Sequence, residues 1–276
     1  MFTLNCKGKL LVLDKPLVMG IINITPDSFY EGSRFIEKDE ILKQAEKMIE
    51  DGADILDIGG QSTRPGGEQI SANEELKRVI NNIDAIHKYF PQTIISIDTS
   101  YSKIAYEAVN AGAAMVNDVS AGNMDEKMLQ TVAFLKVPYV VMHMKGKPQN
   151  MQQDPTYENV CREVLDFFIA KNDECKKAGI HDVVIDPGFG FGKTIAHNFE
   201  LLKNLSVFKM LDAPMLVGLS RKSTIYKTLG IGADESLNGT TVLNTIALMN
   251  GANILRVHDV KEAKEAVKLW SKVNGE

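Results

Sequence analysis

Residues 183–194 read VVIDPGFGFGKT, an apolar run that ends in an acid and continues as a glycine-rich loop. The three β-branched residues at its start are typical of a strand buried on both faces. Asp186 follows them, and Pro187 and the glycines end the strand and allow tight turns. An acid at the carboxyl end of a parallel strand is the usual position of a functional group in an α/β protein. The alternative is an ordinary strand-to-helix turn capped by Asp186, and this stretch alone does not separate the two.

Gly192-Lys193-Thr194 looks like the end of a phosphate-binding P-loop. That motif requires a glycine five positions before its second glycine. Pro187 occupies that position in this chain, so the spacing argues against a nucleoside triphosphatase.

Composition and length indicate a single α/β domain. The 276 residues suit one (β/α)8 barrel of about 250 residues, and we expect one domain over residues 1–276.

No apolar run approaches the ~20 residues of a transmembrane helix, and the N-terminal residues lack a signal pattern. The net charge of −5 argues against a general nucleic-acid surface. The three cysteines form no CxxC pair, which predicts reduced thiols in a cytoplasmic protein.

Apolar strands alternate with helix-length amphipathic stretches along the chain. The predicted strands are residues 17–22, 55–58, 94–97, 115–117, 138–142, 183–185, 215–217 and 254–257. The predicted helices include residues 39–51, 73–90, 103–111, 125–135, 157–178 and 261–272. About eight strand–helix units predict a (β/α)8 TIM barrel. Residues 3–13 alternate loosely around Lys7-Gly8, which predicts a short leading β-hairpin.

Polar side chains follow every predicted strand, where a barrel places its functional groups. In chain order they include Asn23, Asp57, Ser62, Thr63, Arg64, Asp98, Asn117, Asp118, His143, Asp186, Ser220, Lys222, Arg256 and His258. Each has an ordinary structural explanation: Asp57 and Asp118 could hold loops, Ser100 and Ser220 could cap helices, and Met142 could be core packing. Together they are harder to explain by chance.

The chemistry of these residues suggests two kinds of ligand group. The acceptors and amide of Asp98, Asn117 and Asp186 suit a flat heterocycle that bears ring N–H and amino groups. The donors suit a phosphate; they are Ser62, Thr63, Arg64, Arg256 and His258. The sequence therefore predicts that a heterocycle and an anion share the mouth of the barrel.

Seven motifs in this order resemble the dihydropteroate synthases. They are MGIINITPDSF at 19–29, DIGGQSTRPGG at 57–67, SIDT at 96–99, MVND at 115–118, DPGFGFG at 186–192, GLSRKS at 218–223 and RVHDV at 256–260. The first two are long enough to be highly specific, and the set spans nearly the whole chain. The resemblance implies a (β/α)8 enzyme of folate biosynthesis that joins p-aminobenzoate to 7,8-dihydropterin-6-ylmethyl diphosphate and releases pyrophosphate. It also implies Mg²⁺ as cofactor, a cytoplasmic homodimer, and sensitivity to sulfonamides.

The same resemblance implies a role for each matching residue. The pterin would contact Asp98, Asn117, Met142, Asp186, Lys222 and Arg256, of which Asp98, Asp186, Lys222 and Arg256 are the expected catalytic residues. The diphosphate would contact Ser62, Thr63, Arg64, Arg256 and His258, and Asn23 would contribute to the Mg²⁺ site. The p-aminobenzoate would contact Phe29, Pro65, Phe191 and Ser220.

Two departures from the family pattern concern the loops. Tyr30-Glu31-Gly32-Ser33 replaces the common Ser-Asp-Gly-Gly, and Gln61 replaces a common Glu. They bear on loop geometry rather than on the reaction class.

The chemistry suggests that the carbon–oxygen bond breaks before the amine attacks, giving a pterin cation near Asp98, Asp186 and Glu31. Loops 25–35 and 61–70 would exclude water from that cation. Two alternatives share pterin binding without pyrophosphate release: a non-catalytic pterin-binding homologue and a methyltetrahydrofolate-dependent methyltransferase.

Overall fold

The computed structural model describes residues 1–24, 34–61, 70–146, 151 and 155–275, with side chains in the first helix from residue 39 onward. Strands β1 (Phe2–Cys6) and β2 (Lys9–Leu13) form an antiparallel hairpin, as predicted. Leu4, Cys6 and Leu13 are buried in one cluster with the first residues of the following strands. The hairpin therefore covers the amino-terminal end of the barrel with apolar side chains.

Eight strands form one parallel sheet. They are β3 (Leu17–Asn23), β4 (Ile55–Gly59), β5 (Ile94–Asp98), β6 (Met115–Asp118), β7 (Tyr139–Met142), β8 (Val183–Asp186), β9 (Leu216–Val217) and β10 (Ile254–Val257). Their spatial order is β8-β7-β6-β5-β4-β3-β10-β9. An isolated parallel bridge between Ile185 and Met215 connects the two ends of this order, so the sheet is a nearly closed barrel. All eight predicted strands are confirmed, with small differences at their ends.

Helices connect the strands and cover the outside of the barrel. They are α1 (Arg34–Glu50), α2 (Ala72–Tyr89), α3 (Ser102–Ala111), α4 (Met128–Leu135), α5 (Val160–Ala178), α6 (Ile195–Lys203), α7 (Ser223–Leu229), α8 (Leu237–Met249) and α9 (Val260–Val273). A 3-10 helix, Leu205–Leu211, follows α6. Helices α6, α7 and α8 lie outside the predicted set.

Two predicted helices begin later than expected, and polar side chains bind backbone amides near both starts. Asp125 accepts hydrogen bonds from the amides of Ser102 (2.7 Å) and Lys127 (2.9 Å), and α4 begins after it at Met128 without a side-chain cap. Asn159 is the N-cap of α5 and accepts from the Arg162 amide at 2.9 Å. A side-chain cap of this kind fixes where a helix begins.

Alternation along the strands determines what the barrel encloses. Ile58 and Ile97 pack outward in the large core beneath the helices. Ile55 and Ile94 belong instead to the inner cluster above the hairpin. Because side chains alternate along a strand, the later residues Asp57 and Asp98 share the inward face with these two isoleucines. The interior is therefore apolar at the amino-terminal end and polar towards the carboxyl ends of the strands.

None of the helices in the described ranges is long and apolar enough to cross a membrane.

Candidate active site

An arginine and two carboxylates lie at the centre of the barrel mouth. Arg256 on β10 donates from Nε to Asp57 Oδ2 at 2.6 Å and from Nη2 to Asp98 Oδ2 at 2.7 Å. Asn117 on β6 donates from Nδ2 to the same Asp57 oxygen at 3.0 Å. Asp57, Asp98 and Asn117 are all buried. The structure thus brings together three predicted pterin residues and adds Asp57 as their shared acceptor.

The charges of this cluster do not balance. Burial disfavours the charged form of Arg256, but the neighbouring Asp57 and Asp98 carboxylates outweigh it and raise the pKa of Arg256. Burial raises the pKa of Asp98 to about 7; Arg256 opposes this rise, and Asp57 and Glu75 add to it. One guanidinium cannot neutralise two carboxylates that it contacts at similar distances. Asp98 is therefore a carboxyl group that can exchange a proton near neutral pH.

Asp186 lies at the end of β8, where the sequence predicted a functional acid. Its Oδ1 accepts a hydrogen bond from the Gly188 amide at 2.8 Å, so one oxygen does cap the turn. Burial raises the pKa of Asp186, while Lys222 and Arg256 oppose the rise. The turn-capping and functional interpretations are compatible, because Oδ2 is the oxygen that could accept from a ligand.

Lys222 precedes α7 and reaches back towards the loop after β8. Its Nζ donates to the backbone oxygen of Phe189 and lies 4.7 Å from the centre of the Phe191 ring. Burial lowers the pKa of Lys222 to about 8, although the nearby Asp186 opposes this. Lys222 and Asp186 thus supply a cation and an acceptor close to each other.

Ser220 and His258 contact each other at the ends of neighbouring strands. The Ser220 hydroxyl lies 3.0 Å from His258 Nδ1 and accepts from the His258 amide at 3.2 Å. The suggestion that Ser220 caps the next helix is wrong, because α7 begins at Ser223 with Lys222 as its N-cap. The partner of Ser220 is the predicted diphosphate residue His258 rather than a helix end.

Apolar and amide groups complete the described part of the site. Met142 and Phe191 are buried together with Met151 in one small cluster, which accounts for the core-like burial of Met142. Asn23 ends β3 with its Oδ1 beside Gly59, on the side where Asp98 also lies. These residues line the same end of the barrel as the ionic cluster.

Other predicted residues lie outside the described part of the chain. They are Phe29, Glu31, Ser62, Thr63, Arg64 and Pro65. The departure at residues 30–33 also lies there, whereas Gln61 is the last described residue before its loop.

Two buried charged residues of this region were not assigned a role from the sequence. Asp57 is only a possible loop acid by sequence, but it binds Arg256 and Asn117. Its position two residues after Ile55 on an alternating strand is a usable signal. Asp118, in contrast, does hold a loop: it accepts from the amides of Ser120 (2.8 Å) and Gly122 (2.7 Å). The second residue is Lys193, whose amine is buried among backbone oxygens; the sequence marked it only as part of a P-loop-like ending whose spacing fails.

Comparison with known proteins agrees with this geometry. Residues 19–258 match the family described as pterin binding enzyme. The chain is 43% identical over 269 residues to the dihydropteroate synthase of Haemophilus influenzae, and the match covers 97% of each chain. A crystal structure of the Yersinia pestis dihydropteroate synthase with a sulfonamide drug superposes with a TM-score of 0.94 at 39% identity, covering 100% of both chains. The Xanthomonas albilineans dihydropteroate synthase in complex with 7,8-dihydropteroate gives a TM-score of 0.90 at 37% identity, again over 100% of both chains.

The barrel, its polar carboxyl end and the family match define a pterin-binding enzyme. Within that class, the chain belongs to the dihydropteroate synthase family.

Proposed function

We propose that the site at the carboxyl ends of β3–β10 condenses 7,8-dihydropterin-6-ylmethyl diphosphate with p-aminobenzoate. The products are 7,8-dihydropteroate and pyrophosphate, and the reaction belongs to folate biosynthesis. The observation that carries the proposal is the buried group of acids and amide around Arg256 and Lys222. Relatives that match nearly the full chain are dihydropteroate synthases, which favours this transferase over a methyltransferase or a non-catalytic homologue.

The pterin is recognised through its ring edge. Asp186 accepts from ring N–H and amino groups in the bidentate geometry that a carboxylate offers. Asn117 offers both a donor and an acceptor, and Asp57 orients its amide. Lys222 donates to the pterin carbonyl and a ring nitrogen. Met142 packs against the apolar face of the ring.

Arg256 has two roles in this proposal. Its Nε and Nη2 are bonded to Asp57 and Asp98, which fixes the plane of the guanidinium. A fixed, planar cation can stack on a flat ring. Its charge also attracts the diphosphate, together with His258, Ser62, Thr63 and Arg64.

Mg²⁺ fits the donors at this end of the barrel. Among the described residues, no three of His, Cys, Asp or Glu lie together as ligands, so the protein would supply few. Mg²⁺ usually keeps several waters and binds substrate phosphates with one or two protein oxygens. Asn23 Oδ1 would hold the ion against the diphosphate, and the bound ion would neutralise leaving-group charge.

The electron-rich dihydropterin then loses diphosphate before the amine attacks. Asp98 and Asp186 are buried carboxyls beside the reacting ring, and a carboxylate in a dry site stabilises a developing cation strongly. The aryl amine is already nucleophilic and needs no strong general base. Rapid quenching in the presence of a slow p-aminobenzoate analogue should yield the pterin methanol by water capture; concerted kinetics without that product would refute the cation.

The p-aminobenzoate lies towards Phe191 and Ser220, with Phe29 and Pro65 contributing from the loops. A sulfonamide should compete with it. We also expect a homodimer in the cytoplasm, which light scattering and fractionation of cells would test.

A further inference from the structure

Lys193 follows the glycine-rich loop, and its side chain is 2% exposed although it carries an amine. Its Nζ lies 2.9 Å from His143 Nδ1 and 3.2 Å from His143 O. It also donates to the backbone oxygens of Gly188 at 3.0 Å and Phe191 at 3.1 Å. These partners come from two segments, the end of β7 and the loop after β8. A buried ammonium with several acceptors connects the segments that carry Met142 and Asp186.

The two segments are pressed together at the carbonyl that Lys193 binds. Gly188 has φ +70, and a Cβ there would lie 1.9 Å from His143 O. The loop is held elsewhere as well, because the Gly190 amide donates to Asn198 Oδ1 at 2.8 Å. Asn198 is as buried as Lys193 but carries no charge, which makes it a matched control.

The protonation states are consistent with a cation at this position. Burial, together with the charges of Lys193 and Lys145, lowers the pKa of His143 to about 2, so the ring is neutral and Nδ1 can accept. Burial lowers the pKa of Lys193 to about 7, which Asp186 opposes and Lys222 reinforces. Below about pH 7 Lys193 is therefore an ammonium.

We propose that Lys193 is a positioning residue for the pterin site: its buried amine joins the loop after β8, which follows Asp186, to the end of β7. Lys193 acts through Asp186 and touches no reacting atom. The inference rests on the proposed pterin-binding role of Asp186. Three cations act on that carboxylate: Lys222 from the start of α7, Arg256 from β10 and Lys193 from the loop. The Gly188 amide adds a hydrogen bond.

The test measures binding of 7,8-dihydropterin-6-ylmethanol by fluorescence between about pH 4 and about pH 8, a range that begins near the ordinary pKa of an aspartate, from which burial raises the pKa of Asp186. The variants are Lys193→Gln, which keeps a donor without charge, Lys193→Arg, which keeps the charge, and Asn198→Ala, which loosens the loop without changing charge. Pterin binding requires ionised Asp186, so affinity falls on the acid side. Because Lys193 is the weakest of the three cations that act on Asp186, its loss should move the acid-side midpoint of Lys193→Gln upward by about half a pH unit or less. The other two variants should keep the wild-type midpoint, although Asn198→Ala binds more weakly at every pH.

The outcomes separate this inference from the proposed function. Suppose that the wild-type protein binds pterin. If the midpoint of Lys193→Gln is then unchanged, or if Asn198→Ala or Lys193→Arg shows the same shift, the role of Lys193 is overturned and the proposed function is not. A wild-type protein that binds no pterin overturns both. If Lys193→Gln does not fold, ¹⁵N-histidine NMR of the wild-type protein decides. His143 should stay neutral with Nδ1 unprotonated throughout, and an ordinary titration near pH ~6.5 would overturn the contact.

Discussion

Replacing Asp57 by Asn removes one charge from the centre of the site with almost no change of shape. Asp57 Oδ2 accepts from Arg256 Nε at 2.6 Å and from Asn117 Nδ2 at 3.0 Å, and its side chain is 0% exposed. Removing one partner of a buried ion pair costs about 3–5 kcal/mol when the other charge is left unpaired. In Asp57→Asn, Asp98 still neutralises Arg256, so the lost free energy of unfolding is close to that of one charge-assisted hydrogen bond. We therefore expect Asp57→Asn to lower the free energy of unfolding by about 2 kcal/mol.

A matched surface substitution isolates the effect of burial. Asp84 pairs with Lys88 at 2.7 Å, but these side chains are 45% and 70% exposed. Asp84→Asn should cost no more than about 0.5 kcal/mol, as exposed helical pairs do.

Urea unfolding of both variants, with a double-mutant cycle against Arg256→Met, provides the measurement. The cycle should give a coupling of about 2 kcal/mol between Asp57 and Arg256. The kcat/KM of Asp57→Asn should fall as well, because Arg256 would then be held by Asp98 alone. Equal losses in Asp57→Asn and Asp84→Asn, or a coupling near zero, would refute the account of the ionic cluster.

Three further substitutions test other parts of the structure. Burial raises the pKa of Glu75 to about 7. The protonated carboxyl therefore contributes stability that is present below its unfolded pKa and lost as pH rises through 7. In urea unfolding between pH ~5 and pH ~8, Glu75→Gln should abolish a fall of about 3 kcal/mol in the free energy of unfolding. Gly188→Ala places a methyl group 1.9 Å from the His143 carbonyl oxygen and should unfold at markedly lower temperature than wild type. Ser220→Tyr should weaken p-aminobenzoate and sulfonamide binding, measured by calorimetry, more than pterin binding, because the added ring would occupy the position proposed for the p-aminobenzoate.

Each of these substitutions has a clear contrary result. Gly230 has φ +69, and a Cβ there would have no neighbouring atom within 4 Å, so Gly230→Ala carries the backbone strain without the clash. Equal melting temperatures for the two alanine variants would contradict the role of the His143 contact. An unchanged pH slope in Glu75→Gln would mean that this carboxyl is ionised in the folded protein. Equal losses of all three ligands in Ser220→Tyr would contradict its assignment to p-aminobenzoate.

Much of the fold could be predicted because the strands are short apolar runs bounded by polar residues and glycines. The hairpin and all eight barrel strands follow from that pattern. Helix starts were less predictable: α5 begins where Asn159 binds the Arg162 amide, and α4 begins three residues after Asp125, which binds the amides of Ser102 and Lys127 instead of starting the helix. A sequence pattern shows that such residues favour caps, but not which amide each one will bind.

The sequence could predict which residues form the site, but not which of them form ion pairs and hydrogen bonds with one another. The strand-end rule identified Asp98, Asn117 and Arg256, which the structure brings together. It could not show that Arg256 pairs with Asp57, a residue 199 positions away in the chain. Nor could it show that Lys193 is buried, because lysine is rarely buried and its acceptors are backbone oxygens without a sequence signature.

If this site joins the two substrates with loss of diphosphate, removing the Asp186 carboxylate should stop the reaction. The measurement is pyrophosphate release with the pterin diphosphate, Mg²⁺ and p-aminobenzoate. Asp166, which is 63% exposed and pairs with Arg162, provides the control Asp166→Ala. We predict release that requires all three components, is unchanged in Asp166→Ala, and falls about 100-fold or more in Asp186→Ala, since two charge-assisted hydrogen bonds to the pterin are lost. Tight pterin binding without pyrophosphate release would contradict the proposed function and favour a non-catalytic pterin-binding protein.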